Sequence, residues 1–224
     1  MPEWNDIKDL WAEVQVRSIL QHAWAVISHS FLYKSKQDMP KELVRKLYRL
    51  SALFELADDE LNSLIEGIHD LTIKYTNQIQ ERDESVELNI NSLIAFMDIS
   101  NSILYWEDYI RSLGYEMIPY SMVSRDIDML NFAGISTVAK VDNMLLESKE
   151  WGQAYFRELF EKTLEDYKSK TLSIVRNGIV TMLLIGNYPD IFTEDVLDKK
   201  FGWHSGQRAL ISAYKYNPKY NANK

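Results

Sequence analysis

One apolar seam constrains this chain more than any other feature. Leu43, Leu47, Leu50, Phe54, Ala57, Leu61, Leu64, Ile68 and Leu71 follow one another at alternating intervals of four and three residues. Only an α-helix brings that spacing onto one side, and about four heptads of it specify a long helix that packs lengthwise on another. Pro40 suits the first helical position, where its missing N–H costs nothing, with Met39 or Asp38 at the cap. The expectation is packing within the molecule. A homo-oligomer or a partner helix held through the Leu43–Leu71 seam is the other use of such a stripe.

Composition narrows the rest. At 224 residues and 46% hydrophobic, with only eight glycines and five prolines, the chain has material for one sizeable domain or two small ones. Its 25 bases against 33 acids give a formal charge of −8, which opposes approach to phosphate backbones, so no DNA partner is expected. Without cysteine there is no disulfide and no thiolate chemistry. The acids Glu3, Asp6 and Asp9 stand where a secretory signal needs positive charge. The most apolar run, Ile179–Ile185, is far short of the roughly 20 residues that span a bilayer, so it reads as a buried helix or strand. A cytoplasmic protein with no membrane partner is expected.

Ahead of the seam the period changes. Ala12, Val14 and Val16 alternate with Glu13, Gln15 and Arg17, the pattern of a half-buried strand with one polar face. Ser18 can then cap a helix running to about Tyr33, in which Ile19, Ala23, Ile27 and Phe31 repeat at four-residue steps. Lys34, Lys36, Lys41, Arg45, Lys46 and Arg49 outnumber Asp38 and Glu42, which reads as a wet helix face.

Glu13-Val14-Gln15-Val16-Arg17, then Leu20-Gln21-His22-Ala23-Trp24-Ala25, then His29, Tyr33 and Lys34, resemble the last strand and following helix of the RelA/SpoT-type (p)ppGpp synthetase domain. The resemblance runs from Trp11 to Leu64. It implies transfer of pyrophosphate from ATP to the 3′-hydroxyl of GDP or GTP with magnesium as cofactor, and makes ATP and GDP/GTP the expected partners. It assigns Glu13 to metal or general-base work, and Gln15, Arg17 and His29 to the nucleotide. The chemistry of these side chains agrees. A carboxylate can hold a hard cation or accept the attacking hydroxyl's proton. A guanidinium two repeats of about 6.6 to 6.8 Å along the same strand face offers a planar fork to phosphate. An amide between them can fix a base or sugar. His22 and His29, seven apart, share a helix face but lack the closer spacing of a metal pair.

The pattern departs from the family in two places. Val26 stands where many members carry a glutamate after Trp-Ala. The family's preceding half, with its basic phosphate clamp, second acidic strand and guanine-stacking tyrosine, has no counterpart in the ten residues before Trp11. A reaction centre of this kind needs carboxylates from more than one element. The expectation is therefore the back portion of a synthetase, inactive by itself; the alternative is a non-catalytic helical interaction or regulatory protein.

The charged stretch Gln78–Glu87 interrupts the apolar pattern, giving three segments: 1–80, the synthetase-like portion with the long helix; 81–87, a charged linker or helix end; and 88–224, a helical module with no ligand signature. In the last, helices are expected at Ile90–Leu113 closing on Gly114, Met122–Phe132 closing on Gly134, Thr137–Glu147, and Trp151 to about Ile185. Between the middle two, Gly134 turns left-handed, Ile135 plugs the core and Ser136 caps. The expected fold is mainly α, with one N-terminal β-strand left from a truncated α+β synthetase domain, a long heptad-patterned helix and a helical C-terminal module.

Overall fold

The computed structural model describes residues 11–32, 40–167, 173–203 and 206–221. Among these the chain is mainly helical, with eleven α-helices and one two-stranded parallel sheet. It divides into two compact units, Met1–His69 and Asp70–Lys224.

In the first unit the expected strand at Ala12–Arg17 is not formed. The segment is extended, but among the described residues no other strand lies beside it, and Val14 and Val16 are 83% and 89% exposed. Alternation specifies which side chains share a face; a strand also needs a neighbour to take its backbone groups. Helix α1, Ile19–Leu32, starts where expected. Ser18 caps it reciprocally: its Oγ accepts the Gln21 N–H at 2.9 Å and its own N–H reaches Gln21 Oε1 at 3.2 Å. The end of that helix near Tyr33, and Lys34, Met39 and Asp38, lie outside the described residues.

Helix α2 runs from Lys41 to Gln80 as one element. Pro40 sits just before it, its carbonyl accepting the Val44 N–H at 3.2 Å. Contact with α1 is local: Ser18 Oγ donates to Asp58 at 2.7 Å, and Trp24 meets Phe54 with ring centroids 6.3 Å apart. Of the seam, Leu47 is buried and Phe54 and Ala57 are half-buried, while Leu43, Leu50, Leu61, Leu64 and Ile68 remain exposed. Lengthwise packing within the molecule is thus not what these residues show.

In the second unit α2 ends at Gln80, inside the charged stretch, and Asp83 closes a turn by accepting the N–H and hydroxyl of Ser85 at 2.9 and 2.6 Å. Val86 is buried, and its carbonyl accepts the Val138 N–H at 3.0 Å. The single helix expected at Ile90–Leu113 is two, α3 (Ile90–Ile99) and α4 (Asn101–Ser112). Ser100 breaks it by adopting extended backbone and accepting the Ser102 N–H on its own hydroxyl, the local competition that makes serine a capping residue. Strand β1 (Glu116–Ile118) follows, then α5 (Val123–Phe132) and α6 (Val138–Glu147). The turn between them is as read: Gly134 has φ +78° and Ile135 is buried, though Thr137 rather than Ser136 is the cap.

Nor is Trp151–Ile185 one helix. It comprises α7 (Gly152–Tyr167), strand β2 (Ser173–Val175) and α8 (Arg176–Asn187), β2 pairing in parallel with β1. Helices α9 (Glu194–Phe201), α10 (Gly206–Tyr216) and α11 (Pro218–Asn221) complete the unit. Helix α8 holds the apolar run Ile179–Ile185 and touches α4, α5, α6, α7 and α10. It is too short to cross a membrane, as is every apolar helix among the described residues.

Packing around α8 is close enough to require glycine at one position. A Cβ added to Gly186 would stand 2.4 Å from the Trp151 ring, itself buried and stacked edge-on against Tyr155. A rigid indole cannot yield as a flexible chain would. Gly186→Ala is therefore expected to cost about 1–3 kcal/mol despite alanine's better helix propensity, read as a lower denaturation midpoint by circular dichroism. An unchanged or raised midpoint would show that Trp151 can move aside.

Candidate functional site

The extended segment 11–17 places Glu13, Gln15 and Arg17 on one side, and they bond in series. Gln15 Nε2 donates to Glu13 Oε1 at 3.0 Å, and Arg17 Nη2 donates to Gln15 Oε1 at 2.6 Å. All three are exposed. The carboxylate, amide and guanidinium are thus held in line and open to a ligand, with no wall of the protein facing them among the described residues.

His29 does not join them. It stands exposed in the last turn of α1, ten residues past Ile19 and so about 15 Å along the helix axis. His22, one turn past the Ser18 cap, is also exposed.

Magnesium asks for near-octahedral oxygen ligation, commonly one or two carboxylates together with water and phosphate oxygens. Near Glu13 the side chains offer one carboxylate whose Oε1 already receives the Gln15 amide. Among the described residues no group of three or more His, Asp or Glu stands close enough to hold a metal. Among the described residues the side chains around Glu13 thus supply a single carboxylate toward such an ion.

The second unit contains two polar constellations that the sequence pattern did not single out. Arg176, the first residue of α8, forms ion pairs with Asp98 at 2.8 Å and with the buried Glu107, while the Tyr120 hydroxyl donates to Asp98 at 2.8 Å. Burial alone would lower the Arg176 pKa, but Glu107 and Asp98 carry it above its ordinary value. Every charge here has a partner, so the cluster fastens α3, α4 and the β2–α8 junction and leaves no free nucleophile or base.

Beside it, Asp126 is buried on α5 and receives Thr181 Oγ1 at 2.6 Å and the Asn177 amide, which also donates to the Ser121 carbonyl at 2.8 Å. Burial pushes Asp126 up to about 6, against the opposing pull of the Thr181 and Asn177 hydrogen bonds and of Arg125. A cleft of about 660 Å³ opens elsewhere in this unit, lined in part by Arg82, Asp83, Ser100, Asp142 and Lys149. The Asp142 carboxylate in it is taken by the hydroxyls of Ser102 at 2.5 Å and Ser100 at 3.5 Å. One signal for these residues was available: Asp126, Asn177 and Thr181 are polar side chains inside otherwise apolar helical stripes.

No family model, curated protein or solved structure matches the chain.

The Asp126 environment yields a pH dependence with a definite sign. A carboxyl whose pKa is higher folded than unfolded binds its proton more tightly in the native state, so its contribution falls as pH rises from about 4 to about 6 and is level above. Asp126→Asn keeps the shape and can accept from Asn177 while donating to Thr181. The variant is expected to match the parent near pH 4 and exceed it at pH 7 by up to about 3 kcal/mol, seen as a difference in denaturant midpoint at the two pH values. An equal or lower midpoint for the variant at pH 7 would mean the carboxylate is better accommodated than its burial implies.

Proposed function

We propose that residues 11–64 form the acceptor-side wall of a RelA/SpoT-type synthetase site, for pyrophosphate transfer from ATP to the 3′-hydroxyl of GDP or GTP. The observation that carries the reading is the row Glu13, Gln15, Arg17, aligned on one side of an extended segment that runs directly into a serine-capped helix. In this reaction the 3′-oxygen attacks the β-phosphorus of ATP, the bond from that phosphorus to the bridging oxygen of the α-phosphate breaks, and AMP leaves. Glu13 accepts the 3′-hydroxyl proton as the new oxygen–phosphorus bond forms. Gln15 orients the carboxylate and hydrogen-bonds the acceptor nucleoside, and Arg17 holds a phosphate of the acceptor by its planar fork. His29, about 15 Å up α1, is left a supporting contact at most.

Transfer between two polyanions needs cations and a second carboxylate from another element. In this reading those come from a complementary strand-bearing segment. The chain also belongs to a different class in the alternative reading, a non-catalytic interaction protein, which draws support from the uncovered stripe on α2.

The purified chain incubated with radiolabelled ATP and GDP is expected to form no pentaphosphate or tetraphosphate product. With the front half of a family synthetase supplied as a separate polypeptide, label should move to the guanosine nucleotide. Glu13→Gln should then lower the rate by roughly 10²- to 10⁴-fold, the usual contribution of a general base, without changing helical content. Transfer that survives Glu13→Gln would remove Glu13 from the chemistry. Absence of transfer in every complementation would favour the interaction protein.

A further inference from the structure

Helix α2 carries a row of exposed apolar side chains. At 100° per residue, Leu43, Leu50, Leu53, Leu61, Leu64 and Ile68 fall within an arc of about 80°, and each is between 43% and 63% exposed. The adjoining arc is the one engaged: Leu47 is buried and Phe54 meets Trp24. An apolar stripe some 25 residues long, about 38 Å of helix, interrupted in that arc by Lys46 alone, is more than isolated surface leucines account for and marks an interaction face.

Charge identifies the occupant. Residues 41–49 hold Lys41, Arg45, Lys46 and Arg49 against the single acid Glu42, whereas 55–66 hold Glu55, Asp58, Asp59, Glu60 and Glu66 with no lysine or arginine at all. The helix is positive at its start and negative beyond. A second α2 laid parallel would set like charge on like; laid antiparallel, it sets each basic end on the other's acidic stretch. The heptad registers agree with that direction. A two-fold axis passing between Glu55 and Leu56 faces Leu43 with Ile68 of the second copy and Leu50 with Leu61, so positions of one phase meet positions of the other. Such an isologous contact closes after two copies.

We propose that two copies of this chain pair antiparallel through the Leu43–Ile68 stripe of α2. This rests on the stripe and its charges alone and is independent of the synthetase reading.

The full chain, without nucleotides, is to be examined by sedimentation equilibrium. The expected mass is twice that of the 26.2 kDa chain, falling to once with Leu53→Asp/Leu64→Asp while circular dichroism stays unchanged. Orientation is read from engineered cysteines, the chain having none. Leu50→Cys/Leu61→Cys should cross-link between copies under oxidation, and neither single variant should. A monomer at every concentration overturns the pairing, including the case in which the chain is monomeric alone but captures a synthetase front half through the same stripe. A dimer that persists in the folded aspartate variant overturns the stripe as its seat. Cross-linking by Leu50→Cys alone overturns the antiparallel direction. If the aspartate variant fails to fold, the cysteine pattern still decides.

Discussion

A helix buried on every side imposes the strictest condition in this molecule, and α8 is that helix. From Asn177 to Asn187 only Met182 escapes full burial. Neighbouring helices must approach its backbone closely, hence glycine under the Trp151 ring. Each polar side chain it carries must find a partner inside the protein. Asn177 and Thr181 find Asp126; Asn187 finds Ser148 at 2.7 Å and the Leu183 carbonyl at 2.8 Å. The apolar run supplies the driving force, and the polar residues at its two ends fix the helix's rotation and depth. A leucine-only α8 would bury as much surface without specifying which face meets which neighbour.

The first unit rests on different physics. Among its described residues only Leu47 is buried, so little of its order comes from a core. What shapes it is local: reciprocal capping at Ser18 and Gln21, one hydrogen bond from Ser18 to Asp58, one aromatic contact, and the helical propensity of α2. Short helices held by such terms are marginal in water. Its described residues thus combine a long exposed apolar stripe with one buried side chain, Leu47. Completion by a second copy and completion by a strand-bearing segment use different parts of it, the stripe of α2 in one case and the open edge of residues 11–17 in the other.

Where the chain's own bonding decides conformation, the sequence was informative. The turn from α5 to α6 was readable because Gly134 alone accepts φ +78° cheaply and Ile135 has nowhere to go but inward. The Ser18 cap was readable for the same reason. The break at Ser100 was missed because apolar spacing continues through it from Met97 to Ile103, and only the hydroxyl's choice of its own Ser102 N–H divides the helix. Strands β1 and β2 were missed because each is three residues, too short for a period to show, and each exists through the other. Arg176, Asp98 and Glu107 are ordinary surface charges in the sequence; the pairing of all three and the burial of Glu107 follow from a junction that pattern cannot foresee.

The candidate row at Glu13, Gln15 and Arg17 lies at the boundary between these cases. Alternation was enough to bring the three side chains to one side, since that follows from an extended backbone alone. It was not enough to make a strand, because pairing is a property of two segments. The same division applies to chemistry. The spacing aligns a base, an amide and a guanidinium, but catalysis of transfer between polyanions requires those groups to be held in a site from which water is excluded and where opposing charge is preorganised. An exposed row has the residue types without the environment that would make them effective. Whatever supplies a neighbour for the backbone of residues 12–17 would also bring a wall to its polar side, so folding of the strand and assembly of the site would be one event.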